Sequence, residues 1–231
     1  MTTTLITGAN KGLGYETARR LIDAGHTVWM AARDIERGQA AADALGGTFV
    51  QLDVTDDASI AAAAATVAGA GGLDVLINNA GVIGPHTTAA HELSADDALS
   101  VYNTNVFGII RMTTAFVPIL RESAAPTIVN VTSGLGSFDF VHDASRVESG
   151  IVAPLYTSSK SAVTMLTVQY AKAFPDIRVN AADPGYTATD FNGHGGHQTV
   201  TEGTDATVAL ALLGPDGPTG EFHDRRGRID Y

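Results

Sequence analysis

The stretch TTLITGANKGLG, residues 3–14, decides the fold of this chain. A strand-like run over Thr3–Thr7 leads into glycines at positions 8, 12 and 14, and a segment with helical periodicity begins at Gly12. Glycine lets a backbone turn tightly and approach a ligand that a Cβ atom would keep away. The N-terminus of the helix then offers free N–H groups to a pyrophosphate. The Gly-x3-Gly-x-Gly spacing differs from the commoner Gly-x-Gly-x-x-Gly, but it predicts the same kind of dinucleotide site.

The rest of the chain alternates short apolar runs with longer segments of helical periodicity, which predicts a parallel sheet covered on both faces. We therefore expect one doubly wound, Rossmann-like α/β domain over residues 1–231, with seven parallel strands flanked by helices. Strands are predicted at Thr3–Thr7, Thr27–Ala31, Thr48–Leu52, Leu73–Ile77, Thr127–Thr132, Ile177–Asp183 and Gly220–Phe222. Helices are predicted at Gly12–Ala24, Ile35–Leu45, Asp56–Ala68, Ala95–Glu122, Pro154–Phe174 and Glu202–Leu212. Residues 134–153 and 185–201 lack a clear element, and long loops of this kind are usually functional or mobile.

The composition excludes several classes of function. The net charge is −11 and no Lys/Arg cluster is present, so a nucleic-acid partner is not expected. There are no cysteines and no secretory signal pattern, and no apolar run approaches the roughly 20 residues that span a bilayer. We expect a cytoplasmic protein with no membrane partner. His194 and His197 form the nearest histidine pair, but they lack a third ligand, and we expect no metal.

The second predicted strand ends in Arg33, with Asp34 directly after it. A guanidinium at this position suits the 2′-phosphate of NADP(H), and Lys11 in the glycine turn could add a second cation. The alternative is that Arg33 is solvated and Asp34 binds the ribose of NAD. Asp53, which follows the third strand, is placed to contact the adenine amine.

Tyr156 and Lys160 are four residues apart and would share one face of a helix. A free tyrosine has a pKa of about 10, too high for ready proton exchange near neutrality. A nearby ammonium favours the phenolate, so the pair suits general acid/base chemistry. Ser133 ends a strand at the carboxyl edge, where open α/β sheets bind their ligands.

Together these motifs resemble the short-chain dehydrogenases/reductases: Thr7-Gly8-x3-Gly12-x-Gly14, Asn78-Asn79-Ala80-Gly81, Ser133, Tyr156-x3-Lys160 and Pro184-Gly185 occur in the order of that family. The segments Ala32-Arg33-Asp34 and Thr219-Gly220-Glu221-Phe222 are similar to its NADPH-dependent carbonyl reductase branch.

The resemblance implies that NADPH delivers hydride to a substrate carbonyl carbon. It also implies catalytic roles for four residues. Tyr156 donates a proton to the carbonyl oxygen, and Ser133 hydrogen-bonds the same oxygen. Lys160 binds the nicotinamide ribose and lowers the pKa of Tyr156, and Asn105 holds a water that links Lys160 to solvent.

The glycine turn and the family motifs together predict an NADP(H) site. Its expected residues are Gly8, Asn10, Lys11, Gly12, Leu13, Arg33, Asp53, Val54, Asn79, Ala80, Gly81, Tyr156, Lys160, Pro184, Gly185, Thr187 and Thr189. The resemblance implies that the Asn79 motif braces the sheet near the adenine ribose, and that the backbone after Pro184 and the Thr189 side chain hold the carboxamide.

The chain departs from the family pattern between Ser133 and Tyr156, which are 23 residues apart, more than is common in the family. We expect this extra segment at the mouth of the active site, with Phe138, Phe140, Tyr186 and Phe191 offering apolar walls for a small-molecule carbonyl or alcohol substrate. The short, glycine-rich segment after Gly185 suggests an open pocket with broad substrate acceptance. The protein could be a monomer or a homo-oligomer. An NADP-dependent alcohol or sugar dehydrogenase, or an NADP(H)-binding sensor without turnover, are the alternatives.

Overall fold

The structure, a computed structural model, describes residues 1–85 and 88–230. Its sheet contains strands β1 (Thr3–Thr7), β2 (Thr27–Ala32), β3 (Thr48–Gln51), β4 (Val75–Asn78), β5 (Thr127–Val131), β6 (Arg178–Ala182), β7 (Phe222–Asp224) and β8 (Gly227–Ile229). The strand order is β3-β2-β1-β4-β5-β6-β7-β8, and only the β7–β8 pairing among the strands described is antiparallel. The order reverses at β1, where Leu5 pairs with Trp29 of β2 and with Leu76 of β4. This reversal creates the crevice in which doubly wound sheets bind ligands.

The described helices are α1 (Gly12–Asp23), α2 (Ile35–Leu45), α3 (Asp57–Gly69), α4 (Ala95–Tyr102), α5 (Gly108–Leu120), α6 (Phe138–His142), α7 (Pro154–Ala173), α8 (Val200–Gly203) and α9 (Asp205–Ala211). None of the helices in residues 1–85 and 88–230 combines the length and the apolar character needed to cross a bilayer.

Two hydrophobic cores hold the helices against the sheet. β4 and β5 are buried along their whole length because helices cover both of their faces. One core joins the sheet to α3 and α5 through side chains such as Ile60, Met112 and Phe116. The other joins it to α1, α2 and α9 through side chains such as Leu21, Ala42 and Leu210. The predicted doubly wound α/β class is confirmed.

The prediction of seven strands is wrong, since the sheet has an eighth, β8, antiparallel to β7. The two strands are three residues each and are joined by a polar turn that ends at Gly227, whose φ is +124°. Strands this short carry too few alternating residues for a period to show. The start of β7 was misplaced for the same reason: the strand was expected from Gly220 and begins at Phe222.

The helix expected over Ala95–Glu122 is also interrupted. A π-helical turn, Asn103–Phe107, separates α4 from α5. Such turns insert a residue into the helical ladder and are frequent at functional sites. Because apolar residues continue on both sides of the turn, the periodicity of the sequence does not reveal the change. The predicted helix Glu202–Leu212 is in fact two short helices, α8 and α9.

Candidate active site

Three predicted catalytic residues meet at the carboxyl ends of β5 and β6. Ser133 lies two residues after β5, and its hydroxyl accepts a hydrogen bond from the Leu135 N–H at 3.2 Å. α7 begins at Pro154, a residue that suits the first turn of a helix, and carries Tyr156 and Lys160 one turn apart. The Lys160 ammonium donates to the Val131 carbonyl at 2.9 Å and lies 5.7 Å from the centre of the Tyr156 ring.

Burial sets the protonation of this pair. It lowers the pKa of the Lys160 ammonium to about 8, although Asp183 acts in the opposite direction. It raises the pKa of the Tyr156 phenol above its ordinary value, while interaction with the Ser133 side chain lowers it and the charge of Asp183 raises it further. Desolvation of the phenolate is thus the dominant influence on the Tyr156 pKa, and the expected lowering by Lys160 remains a prediction.

Asn105 lies in the π-helical turn and is 1% exposed. Its amide oxygen accepts from the Val82 N–H at 2.8 Å, and its amide nitrogen donates to the Val82 carbonyl at 2.9 Å. The same nitrogen donates to the Ser159 hydroxyl at 3.0 Å. Asn105 thus joins the segment after Gly81 to the residue next to Lys160. Its role in holding a water remains a prediction.

The glycine turn has the close backbone packing that its sequence predicts. Gly8 and Gly12 have φ values of +66° and +55°. A Cβ atom on Gly14 would overlap the Gly8 carbonyl and would stand 2.6 Å from the Asn79 amide nitrogen. That nitrogen donates to the Thr7 carbonyl at 2.8 Å, so Asn79 holds the end of β1 where the glycine turn begins.

The start of α1 fits an anionic ligand. Its N-cap, Lys11, makes no side-chain capping bond, so the first N–H groups of α1 have no side-chain cap. Asn10 and Leu13, also predicted to bind the cofactor, lie in the same turn and are partly exposed. A turn with glycine at positions 8, 12 and 14, followed by uncapped N–H groups, fits the pyrophosphate of a dinucleotide.

Arg33 and Asp53 line a cavity of about 500 Å³ beside β2 and β3. Although partial burial raises the pKa of Asp53, hydrogen bonds from Thr55 and the charge of Arg33 hold it below its ordinary value. Asp34 has a structural role: its carboxylate caps α2 by accepting a hydrogen bond from the Arg37 N–H at 3.0 Å. Val54, the remaining residue predicted here, is buried against Gly108.

The segment after β6 lies against the glycine turn. Gly185 has a φ of +63°, and the Thr187 hydroxyl donates to the Pro184 carbonyl at 2.7 Å. A Cβ atom on Gly12 would stand 4.0 Å from the Thr189 methyl group. Nearby, Lys11 forms an exposed ion pair of 3.3 Å with Asp190. Lys11 is therefore engaged by this segment, a partner that the sequence does not reveal.

The sequence profile of the family described as short chain dehydrogenase matches residues 2–199. The chain belongs to this family. Short-chain dehydrogenase anuI of Penicillium roqueforti is 38% identical, with 91% of this chain and 88% of that protein covered. The (+)-neomenthol dehydrogenase of Arabidopsis thaliana is 33% identical, with 96% and 95% covered. The crystal structure of NADPH-bound carbonyl reductase from chicken fatty liver superposes with a TM-score of 0.87 at 29% identity, covering 100% of this chain and 98% of that one.

In this short-chain dehydrogenase the segment between Ser133 and Tyr156 is ordered around α6. Phe138 and Val152 are 70% and 79% exposed. The Arg146 guanidinium instead covers the ring of Phe140, with its carbon 3.4 Å from the ring centre, so this face of Phe140 is not available to a substrate. Phe191 is 44% exposed, and its ring centre is 6.0 Å from that of Tyr156.

The Tyr186 ring packs edge-on against the His197 ring, with 5.9 Å between the ring centres.

Within residues 1–85 and 88–230, no three His, Cys, Asp or Glu side chains form a group that could hold a metal.

Two features of this dehydrogenase went unnoticed in the sequence. Asp183, directly before Pro184, is buried, and its charge acts on Tyr156 and Lys160. Side-chain hydrogen bonds also link β4, β5 and α7: the Asn78 amide donates to Asn130, and the Asn130 amide donates to the Thr167 hydroxyl, each at 2.9 Å. Both could have been found in the sequence: Asp183 is a polar residue directly after an apolar strand, and Asn78 and Asn130 are polar residues within apolar strands.

Proposed function

We propose that the protein is an NADPH-dependent carbonyl reductase that converts a ketone or an aldehyde into an alcohol. The observation that carries the proposal is the meeting of Ser133, Tyr156 and Lys160 at one point of the sheet edge. The glycine turn lies at the same edge, so one domain provides both the cofactor site and the substrate site. The absence of cysteine and of a basic cluster fits a cytoplasmic enzyme acting on small molecules.

Reduction of a carbonyl group requires a proton at its oxygen. Since burial raises the pKa of Tyr156, the phenol is protonated at neutral pH and can donate that proton. The Ser133 hydroxyl can donate a second hydrogen bond and fix the oxygen beside the phenol. Bound NADPH supplies the hydride that the carbonyl carbon needs.

Lys160 supports the phenolate that Tyr156 becomes after it gives up the proton. With a pKa of about 8, the Lys160 ammonium is still mostly charged at neutral pH. A cation close to the phenolate stabilises it in this low-dielectric site. In the reverse direction the same phenolate would accept a proton from an alcohol.

The choice of NADPH over NADH rests on the residues after β2. Arg33 is exposed, lines the cavity beside β2 and β3, and has no ion pair among the described residues. The Asp34 carboxylate caps α2, which supports Arg33 over Asp34 as the residue that contacts the cofactor. A planar guanidinium suits a phosphate oxygen pair. The NADPH-bound carbonyl reductase from chicken is consistent with this choice.

Exposed apolar side chains near Tyr156 favour apolar carbonyl compounds as substrates. Phe138, Val152 and Phe191 expose large apolar surfaces in the segments that flank Tyr156. The Arabidopsis relative is named for neomenthol, so a cyclic apolar ketone is the first substrate class to test.

The test is NADPH oxidation, followed by the absorbance of the reduced nicotinamide, over a panel of aldehydes and cyclic ketones. We expect turnover by the wild type, loss of turnover in Tyr156→Phe, and slower turnover with NADH. Tyr170→Phe is the matched control, because Tyr170 lies on α7 and stacks on Phe174 away from Ser133. Binding of NADPH without turnover of any carbonyl would overturn the reductase and favour a sensor.

A further inference from the structure

Asp183 is a buried carboxylate that the proposed reaction does not use. It follows β6 directly and is 4% exposed. Its backbone N–H donates to the His223 carbonyl at 2.7 Å, which fixes it at the junction of β6 and β7. A carboxylate is rarely buried this deeply unless hydrogen bonds or charges compensate for the lost hydration.

The compensation comes from two backbone N–H groups on different loops. One oxygen of the Asp183 carboxylate accepts from Gly185 at 2.9 Å, in the turn that follows β6. The backbone N–H of Gly134, directly after Ser133, also acts on this carboxylate and lowers its pKa. A Cβ atom on Gly134 would stand 2.9 Å from the second oxygen, so glycine is needed for the approach. Asp183 therefore ties the Ser133 turn to the Pro184–Gly185 turn.

The same junction reaches the helix that carries the acid/base pair. The N–H of Thr132 donates to the Ala182 carbonyl at 2.8 Å, and the Thr132 hydroxyl donates to the Lys160 carbonyl at 3.0 Å. The residue before Asp183 is thus linked to Lys160 by two hydrogen bonds, both made by Thr132. The negative charge of Asp183 acts on both Lys160 and Tyr156 and raises the pKa of each.

Two further acidic groups face Asp183. Glu148 approaches from the segment before α7, where it pairs with Arg146 at 3.1 Å, and Asp224 approaches from β7. Burial raises the pKa of Asp183 to about 6, the bonds from Gly185 and Gly134 oppose the rise, and the charges of Glu148 and Asp224 add to it. Asp183 is therefore mostly ionised at neutral pH.

We propose that Asp183 is a positioning residue, whose carboxylate holds the turns of Ser133 and Gly185 together and directs a fixed negative charge at Tyr156 and Lys160. This inference rests on the proposed function, because a proton kept on Tyr156 and on Lys160 matters only if Tyr156 is the proton donor in carbonyl reduction. An anion behind the pair opposes the phenolate and favours the ammonium. The site is thereby held in the form that donates a proton, which is the form that carbonyl reduction needs.

The test follows the titration of Lys160 itself and needs no turnover. The chain has three lysines, at positions 11, 160 and 172, so the full-length protein labelled at the lysine ε-carbon gives few NMR signals, and Lys160→Arg assigns the one of interest. We expect Asp183→Asn to lower the midpoint of the Lys160 titration by about one pH unit, as for loss of a close opposite charge. The signals of Lys11 and Lys172, both exposed, serve as internal controls. An unchanged or raised Lys160 midpoint in the folded variant would overturn the proposal.

A second measurement covers the case in which Asp183→Asn does not fold. In the wild type, ionisation of Asp183 should add a second, smaller inflection to the Lys160 signal near pH 6. Glu148→Gln removes one of the facing charges and should move that inflection to lower pH. Absence of the inflection in the wild type would equally overturn the proposal. If the protein turns over no carbonyl compound, the proposed function fails. The NMR titrations would still show whether the charge of Asp183 acts on Lys160.

Discussion

The amide nitrogen of Asn105 and the hydroxyl of Ser159 are 3.0 Å apart, and this buried hydrogen bond joins the π-helical turn to α7. Ser159 immediately precedes Lys160, so the bond acts on the helix turn that carries the acid/base pair. A regular α-helix over 95–122 would rotate Asn105 by a different amount relative to Val82, because a π-turn adds a residue to the ladder. The irregular turn is therefore part of how the site is built.

We expect Asn105→Ala to lower kcat by on the order of 100-fold, because small displacements of reacting groups have effects of this size. The variant also leaves both polar groups of the Val82 backbone without their side-chain partner, which we expect to reduce the free energy of unfolding by about 2 kcal/mol. Steady-state kinetics and denaturant unfolding measure the two effects. Asn103→Ala, in the same turn, is the control, and an equal loss of kcat there would contradict the special position of Asn105.

Much of this site could be predicted from the sequence because its motifs lie directly after strands. Where parallel strands end, their following residues share one edge, so Gly8, Asn79 and Ser133 had to come together once the strand order was known. The π-helical turn could not be predicted, since it leaves the apolar pattern intact. The raised pKa of Tyr156 was also missed, because the motif shows which charges are near but not how deeply the phenol is buried.

Replacement of Arg33 tests the choice of cofactor. We expect Arg33→Ala to raise the KM for NADPH about 10- to 100-fold, since hydrogen bonds to charged groups contribute about 1.5–3 kcal/mol. The KM for NADH, which lacks the 2′-phosphate, should change little. Arg37→Ala is a suitable control, because Arg37 is an exposed arginine paired with Asp34 on α2. A proportional rise in both KM values would mean that Arg33 does not read the phosphate.

Gly14 should tolerate no side chain. Its Cβ atom would overlap the Gly8 carbonyl and crowd the Asn79 amide, so the turn must shift. We expect Gly14→Ala to destabilise the protein by about 1–3 kcal/mol and to weaken NADPH binding, measured by thermal unfolding and by fluorescence of the bound cofactor. Gly69→Ala, at the end of α3 with open space around its Cβ position, should be neutral or slightly stabilising. Equal effects of the two substitutions would show that the close packing at Gly14 has no consequence.

Lys160 should reduce stability while it supports activity. The pKa of its ammonium falls from 10.5 in the unfolded chain to about 8 in the fold, so the unfolded state binds more protons between these values. The free energy of unfolding therefore rises as pH increases from about 8 to 10.5, and below pH 8 the full cost of burying the charged ammonium remains. We expect Lys160→Met to abolish turnover and to stabilise the fold at pH 7 by up to about 3 kcal/mol.

The stability gain in Lys160→Met should shrink between pH 8 and 10.5, where the wild-type lysine loses its proton in the folded state. Denaturant unfolding at several pH values follows this change. Lys172→Met, at the exposed end of the same helix, should show no such dependence. A gain that stays constant across the whole range would mean that the stabilisation comes from packing of the methionine and not from removal of a buried charge.

Phe191 should select substrates by size and polarity. Its ring lies 6.0 Å from that of Tyr156 and remains 44% exposed, so it is free to cover an apolar substrate held at the phenol. Loss of an apolar contact of this size weakens transition-state binding by about 1–3 kcal/mol. We therefore expect Phe191→Ala to lower kcat/KM for cyclic ketones about 10-fold or more, with little change for short aliphatic aldehydes. Met165→Ala removes an exposed side chain more than two turns along α7 and should affect neither class. A uniform loss over both substrate classes would instead assign Phe191 to holding the Tyr156 ring, because only a contact made with the substrate can distinguish one substrate from another.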